Sequence, residues 1–125
     1  MPSKPGTWLF KFQCAWRGIW FAVGDQNSFW VHLPIACCVV GLAGWLRLGP
    51  LQWATLLLAI GMVLTAELLN TSLELIVSVV HPQRHPRIGQ ALDIAAGAVL
   101  VMSLAAAAVG CIVLMPPLCD RLFGG

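Results

Sequence analysis

The 125-residue chain has no tyrosine and very little charge: seven Lys and Arg, five Asp and Glu, or 10% charged residues. Soluble globular proteins carry roughly 25%. At the same time 59% of the residues are hydrophobic, and a soluble domain of this size buries too little of its chain to hide them. The composition excludes an ordinary soluble fold. It predicts a single integral membrane domain over residues 1–125.

Other absences exclude further classes of protein. The five cysteines form no Cys-x-x-Cys pair and have no histidine at zinc-ligand spacing. A net charge of +2 without an RNA- or DNA-binding motif gives no reason to expect a nucleic-acid partner. No phosphate-binding loop of the GxxxxGK[ST] type is present. If the protein handles a nucleotide, it does so without the common phosphate loops.

The apolar segments predict an all-α membrane protein with three transmembrane helices, at residues 29–46, 51–80 and 91–115. Pro116 and Pro117 are expected to end the third helix. Residues 7–23 have apolar side chains at helical spacing, interrupted by Lys11 and Arg17, and are rich in tryptophan. This pattern is typical of an amphipathic helix on the membrane surface, and it does not match a cleaved signal peptide.

The distribution of Lys and Arg predicts the orientation. Five of these residues lie in the N-terminal segment and in the 81–90 loop, and two lie on the opposite side. The positive-inside rule therefore places the N-terminus and this loop in the cytoplasm.

The second span carries polar residues on one face. Glu67, Asn70 and Glu74 are spaced i, i+3, i+7 and share one side of a helix. Asn often joins membrane helices, but a charged Glu in mid-membrane costs about 2.5–3.5 kcal/mol even on the lenient insertion scale. Carboxylates can bind Mg²⁺ or take a proton from an attacking hydroxyl. The pattern favours a metal and phosphate site.

Polar residues also flank the start of the third span. Asp93 precedes a run of small residues that can pack beside the Glu67 helix, which predicts Asp93 near Glu74. Its alternative role is to complement the helix dipole. Arg84 and Arg87 in the preceding loop could hold a nucleotide phosphate or could be solvated positive-inside charges.

The segments 66–74 (AELLNTSLE) and 93–100 (DIAAGAVL), with His85 between them, resemble the prokaryotic diacylglycerol kinase family, which includes the undecaprenol kinases. The resemblance covers roughly residues 8–115. It implies a homotrimer in the bacterial inner membrane that transfers the γ-phosphate of ATP to a lipid hydroxyl, with Mg²⁺. Its sites are implied to lie between protomers at the cytoplasmic membrane face.

The resemblance also implies roles for individual residues. Glu67 matches the proposed catalytic base, Glu74 a metal-binding carboxylate and Asn70 a polar site residue. A weaker N-terminal landmark adds Arg17. The nucleotide-contacting positions are Gln83, Arg84, His85 and Asp93.

Three positions depart from the family pattern. Gln26 stands where a metal-binding Glu is usual, although the adjacent Asp25 offers a carboxylate. Leu92 replaces a Lys that would neutralise phosphate, a role that Arg84 or Arg87 could take. Ser78 stands where an Asp is common. Since phosphoryl transfer depends on positioning and charge stabilisation, these changes predict weaker catalysis or a different substrate.

Three functions are therefore kept open. The first is an ATP-dependent lipid kinase acting on diacylglycerol or undecaprenol. The second is a catalytically impaired relative that binds lipid or regulates, which failure to bind ATP-Mg would favour. The third is a small proton-linked transporter or accessory subunit, because intramembrane Glu residues also serve proton relays. The third lacks the inverted repeats typical of transporters.

Overall fold

The computed structural model describes residues 6–124, and these form four helices and no strand. They are α1 (Trp8–Asp25), α2 (Asn27–Leu46), α3 (Pro50–Val80) and α4 (Pro86–Phe123). Residues 1–5, among them the Lys4 counted for orientation, lie outside the described part. The predicted all-α fold is confirmed.

The last three helices are long and apolar enough to cross a membrane. Their outer faces carry exposed large apolar side chains, such as Leu58 on α3 and Ile112 on α4, which are 65% and 73% exposed. Such surfaces suit a hydrocarbon solvent. The prediction of three spans plus an N-terminal helix is confirmed.

Helix α1 is joined to α2 through one non-helical residue, Gln26. Its backbone N–H closes α1 on the carbonyl of Ala22 at 3.0 Å, and its own carbonyl accepts from the N–H of Phe29 at 3.3 Å. The non-helical break between α1 and α2 is therefore only one residue wide. The backbone hydrogen bonds of both helices are completed at Gln26. The polar residues on either side of it therefore belong to the helices.

The turn between α2 and α3 follows a standard helix-ending pattern. Arg47 ends α2 in the left-handed conformation, with φ of 56°, and the N–H of Leu48 returns to the carbonyl of Ala43 at 3.4 Å. Pro50 then occupies the first turn of α3, where no N–H is needed. This short connection makes α2 and α3 antiparallel neighbours.

Helix α4 is longer at both ends than the predicted 91–115. It starts at Pro86, a favoured first helical residue that sequence reasoning assigned to the loop. It continues through Pro116 and Pro117 to Phe123, so the prediction that these prolines end the helix was wrong. Contacts before and after the prolines hold the helix together: Val113 and Leu118 pack against the apolar core.

The apolar core lies near the α2–α3 turn, at the end of the bundle away from the polar residues. It consists of Ala43, Leu46, Leu56 and Leu114, one or two from each span. Helix α3 packs most extensively against α4. The opposite end of this helix pair is where the polar side chains of α3 meet the 81–85 loop.

Candidate functional site

The centre of the polar face of α3 is buried. Glu67, Asn70 and Thr71 are 2%, 8% and 1% exposed. The Thr71 hydroxyl donates to the backbone carbonyl of Glu67 at 2.9 Å, one turn back along the helix. Its hydroxyl is thus satisfied locally, and the Glu67 carboxylate is left to find a partner elsewhere.

That partner is His32 on α2. Its Nε2 lies 3.6 Å from Glu67 Oε2, with the two side chains 23% and 3% exposed. A ring nitrogen that faces a buried carboxylate can offset part of its desolvation. Helix α2 therefore contributes directly to the setting of Glu67.

One turn beyond Glu67, Asn70 is hydrogen-bonded to Glu74. The Asn70 side-chain N–H donates to Glu74 Oε1 at 3.0 Å. The other end of the amide, Asn70 Oδ1, is buried and has no hydrogen-bond partner within residues 6–124. An unpaired buried acceptor is costly, and such a group is a common mark of a site that awaits a ligand or a neighbouring group.

Glu74 reaches the wall of a polar cleft with a volume of about 780 Å³. The cleft lies between the last turns of α3, the 81–85 loop and the first two turns of α4. Its charged and polar lining side chains are Glu74, Ser78, His81, Gln83, Arg84, His85 and Asp93.

The loop is shaped by its histidines and prolines. His81 Nδ1 lies 2.9 Å from the carbonyl oxygen of Gln83, and the rings of His81 and His85 meet edge to face at 5.7 Å between centroids. His85 also caps α4, because its Nδ1 accepts from the N–H of Arg87 at 3.1 Å. The N–H groups of Arg87 and Gly89 are both bonded to His85 and Pro86 has none, so it is chiefly the positive dipole end of α4 that favours an anion at this point.

The structure brings together most, but not all, of the predicted site residues. Five of them line the same cleft: Glu74, Gln83, Arg84, His85 and Asp93. Glu67 and Asn70 lie on the same face of α3, deeper in the bundle. Arg17, Asp25 and Gln26 do not line the cleft in the described chain, and the Gln26 amide lies 3.5 Å from Asp25 Oδ2.

Among residues 6–124, no group of three or more His, Cys, Asp or Glu side chains could hold a metal ion. Magnesium, however, is usually bound through one or two carboxylates together with substrate phosphates and water. Glu74 supplies one such carboxylate beside Asn70. The residues fit a metal that arrives with a phosphate, and they do not form a cage for a permanently bound metal.

Sequence reasoning assigned no function to two residues that belong to this region. His32 pairs with Glu67, and a histidine inside an apolar span was the signal that could have indicated it. His81 was assigned only to the loop, although it lines the cleft. Two of the three positions that depart from the family pattern, Ser78 and Leu92, also line it, so these departures alter the cleft itself.

These features define a small three-span membrane protein with a cleft suited to phosphate at the edge of the spans. The model of the prokaryotic diacylglycerol kinase family matches residues 13–114. The chain is 38% identical to a diacylglycerol kinase of Synechocystis over 124 residues, 94% of this chain and 71% of that protein. It is 34% identical to the undecaprenol kinase of Bacillus subtilis over 111 residues, 88% of this chain and 90% of that protein.

The chain therefore belongs to the prokaryotic diacylglycerol kinase family. Membership makes it a lipid kinase and a membrane protein of a prokaryotic family.

Proposed function

We propose that the chain transfers the γ-phosphate of ATP to the hydroxyl of a membrane lipid alcohol, either diacylglycerol or undecaprenol. The observation that carries the proposal is the polar face of α3, on which the buried Glu67 is followed by Asn70 and by its hydrogen-bonded partner Glu74 on the wall of the cleft. The two relatives are named for these two alcohols, and nothing in the cleft separates one from the other.

The cleft is the proposed nucleotide site. Arg84 is a planar cation suited to phosphate, and it lies beside the N-terminal end of α4, which also favours negative charge. Gln83 and His85 offer further polar contacts on the same wall. Asp93 lies one helical turn or more inside α4 and would orient cations or hydroxyl groups of the nucleotide.

Glu74 is the proposed protein ligand of Mg²⁺. When bound, the metal would neutralise charge on the β- and γ-phosphates. The hydrogen bond from Asn70 holds the Glu74 carboxylate at the cleft. Gln26 or Asp25 could join Glu74 as a metal ligand only from a neighbouring protomer or after movement of the α1–α2 junction, since neither lines the cleft here.

Glu67 is the proposed general base. Its carboxylate would take the proton of the lipid hydroxyl while that oxygen attacks the γ-phosphorus, and the bond to the ADP oxygen breaks. A positioned base contributes about 10²–10⁴-fold to the rate. Its burial and its contact with His32 hold the carboxylate in one orientation before the lipid arrives.

The cationic side of the site differs from the family pattern. Leu92 brings an apolar side chain into the cleft where a Lys is usual. Arg84, on the same wall, would provide the missing positive charge, and Arg87 in the first turn of α4, which does not line the cleft, is the second candidate. Arg17 on α1 is exposed and is proposed only as a peripheral site residue.

The protein is proposed to act as a homotrimer in the bacterial inner membrane, with the N-terminus and the cleft on the cytoplasmic side. In that orientation the 81–85 loop meets cytoplasmic ATP. The arrangement is proposed for a single membrane domain over residues 1–125. The proposed partners are membrane lipid and ATP, and no nucleic acid.

The test is transfer of label from γ-labelled ATP by the purified protein in mixed micelles that contain diacylglycerol or undecaprenol. Glu67→Gln serves as the control because it keeps the side-chain volume. Labelled lipid with the wild type and none with the variant supports the proposal and names the alcohol. Equal labelling with both proteins removes Glu67 as the base.

The competing function is a catalytically impaired relative that binds lipid or regulates. It rests on the apolar Leu92 in the cleft and the neutral Gln26 away from it, whereas family membership supports a lipid kinase. Folded, oligomeric protein that neither binds ATP-Mg nor labels any lipid would establish this alternative. A proton-linked transporter would instead show proton flux in liposomes without ATP.

A further inference from the structure

The polar cleft carries little permanent positive charge for a site that is proposed to hold a nucleotide. Among its lining residues in the described chain, Glu74 and Asp93 carry carboxylates and Arg84 carries the one permanent cation. Two histidines, His81 and His85, also line the cleft, and histidine is the side chain that changes its charge near neutral pH. The charge that the cleft offers to a phosphate therefore depends on which of these two rings is protonated.

His85 is bound in a way that needs the neutral ring. Its Nδ1 accepts the N–H of Arg87 at 3.1 Å, and this hydrogen bond uses the lone pair that protonation would remove. His85 also lies at the N-terminus of α4, where the positive end of the helix dipole is unfavourable for a cation. His85 therefore serves the cleft as a neutral ring with its hydrogen on Nε2.

His81 lies in the opposite setting. It follows the last residue of α3, and its backbone N–H closes that helix on the carbonyl of Val77 at 2.9 Å. The negative end of a helix dipole favours a cation. His81 Nδ1 lies 2.9 Å from the carbonyl oxygen of Gln83, and because a carbonyl only accepts, Nδ1 carries the hydrogen. This bond suits a protonated ring and leaves Nε2 for a partner outside the chain.

The contact between the two rings favours a single proton. Their centroids are 5.7 Å apart, and two positive rings at this distance would repel each other. The charged groups that share the cleft are Glu74 on α3, Asp93 on α4 and Arg84 in the loop. Since His85 needs its lone pair for the α4 cap, the proton belongs on His81.

We propose that His81 binds the phosphate chain of the nucleotide as an imidazolium, through Nε2–H, and that nucleotide binding takes up a proton from solvent at this ring. The proposal rests on the cleft being the nucleotide site, and it adds a phosphate-binding residue to that site. The proton returns to solvent when the nucleotide leaves. Hydrogen bonds between two ionised groups are stronger than those with a neutral partner, so the affinity for the nucleotide becomes dependent on pH.

The direction of this dependence follows from the preference for the protonated ring. Binding is tight below the pH range in which His81 titrates and weakens as the pH rises through that range. ATP-Mg binding is measured on the purified protein in micelles without a lipid alcohol, so that no phosphate is transferred. The affinity should fall by roughly tenfold between about pH 6 and about pH 8, the size of one charge-assisted hydrogen bond.

Three variants assign the pH dependence to one ring. His81→Gln should bind ATP-Mg weakly and with the same affinity at both pH values. His81→Arg carries a permanent cation, so it should bind more tightly than the wild type at the higher pH and without pH dependence. His85→Gln, the matched change in the same cleft, should lower the affinity by a similar factor at both pH values. A pH dependence that survives in His81→Gln, or disappears in His85→Gln, would overturn the proposal.

NMR of the wild type reports the protonation of the ring directly. The chain has three histidines, so ring labelling gives three signals, and the His81 signal is the one absent from both His81 variants. Addition of ATP-Mg at about pH 7.5, in the upper part of the histidine range, should move the His81 signal to the position of a protonated ring. The His85 signal should stay that of a neutral ring. A neutral His81 in the saturated complex would contradict the proposal.

Because binding and transfer are measured separately, failure of the proposed function can be told apart from failure of this proposal. Labelled lipid together with pH-independent ATP-Mg binding would keep the kinase and remove this role of His81. Binding whose pH dependence follows His81, with neither diacylglycerol nor undecaprenol labelled, would keep the role and remove the proposed reaction. Folded protein that binds no ATP-Mg at either pH would remove both.

Discussion

The side chain of Asn70 donates a 3.0 Å hydrogen bond to Glu74 and thereby fixes the carboxylate on the wall of the polar cleft. Both residues belong to α3, one helical turn apart, so the helix itself sets their separation. This contact makes Asn70 a supporting residue of the proposed metal ligand.

Asn70→Ala should raise the Mg²⁺ concentration needed for half-maximal rate by roughly 10–100-fold, the usual cost of removing a group that orients a metal ligand. The measurement is a Mg²⁺ titration of initial rates at saturating lipid. Thr65→Ala is the control, because the Thr65 hydroxyl only donates to the Gly61 carbonyl on an exposed part of the same helix. An unchanged Mg²⁺ requirement in Asn70→Ala would separate Asn70 from the metal.

Glu67→Gln should lower kcat by about 10²–10⁴-fold, the contribution of a positioned base, and should leave ATP-Mg binding unchanged. Glu74→Gln should instead weaken ATP-Mg binding, because Glu74 lines the cleft. Equilibrium binding and single-turnover rates measured on both variants distinguish these effects. If Glu67→Gln weakened ATP-Mg binding as strongly as Glu74→Gln, the proposed division between base and metal ligand would be wrong.

Leu92→Lys should raise the transfer rate, because it places a cation in the cleft that is the proposed nucleotide site. Leu92→Met is the control for the change in shape. The readout is the rate of lipid labelling over a range of ATP concentrations. A rate that stays level or falls with Lys would mean that the cleft relies on another cation, and Arg84→Gln in the same assay would then show a large loss.

Pro116→Ala should stabilise the protein against unfolding in mixed micelles, because an internal proline removes a helix hydrogen bond and crowds the preceding turn. In a water-exposed helix the substitution would raise the free energy of unfolding by about 3 kcal/mol. The gain here should be smaller, since neighbouring helices compensate for prolines in membrane spans. Pro86→Ala, at the first position of α4, should change stability little. Unfolding in SDS would measure the stability of both variants, and an equal effect of the two substitutions would contradict this account.

The spans were predictable because the bilayer dictates the length of their apolar segments. The face that carries Glu67, Asn70 and Glu74 was predictable because helical spacing fixes which residues share one side of a helix. The end of α4 was not predictable. Proline chemistry alone indicates a stop at Pro116, and only the packing of Val113 and Leu118 against the core explains why the helix continues.

Contacts between helices account for the rest of what sequence reasoning missed. Nothing in the spacing of residues pairs His32 on α2 with Glu67 on α3, because that contact depends on how the two helices rotate against each other. The prediction that Asp93 and Glu74 lie near each other agrees with their common cleft, because a short loop between antiparallel helices fixes which residues face each other.

The burial of polar side chains in α3 has a consequence for how the protein enters the membrane. Helix α3 has the lowest hydropathy of the three spans, and a lone Glu at mid-span costs about 2.5–3.5 kcal/mol on the insertion scale. His32 on α2 precedes α3 in the chain and is available before Glu67 emerges from the ribosome. Stable partitioning of α3 into lipid is therefore favoured by a partner that has already been synthesised, so membrane insertion and the proposed catalysis place demands on the same pair of residues.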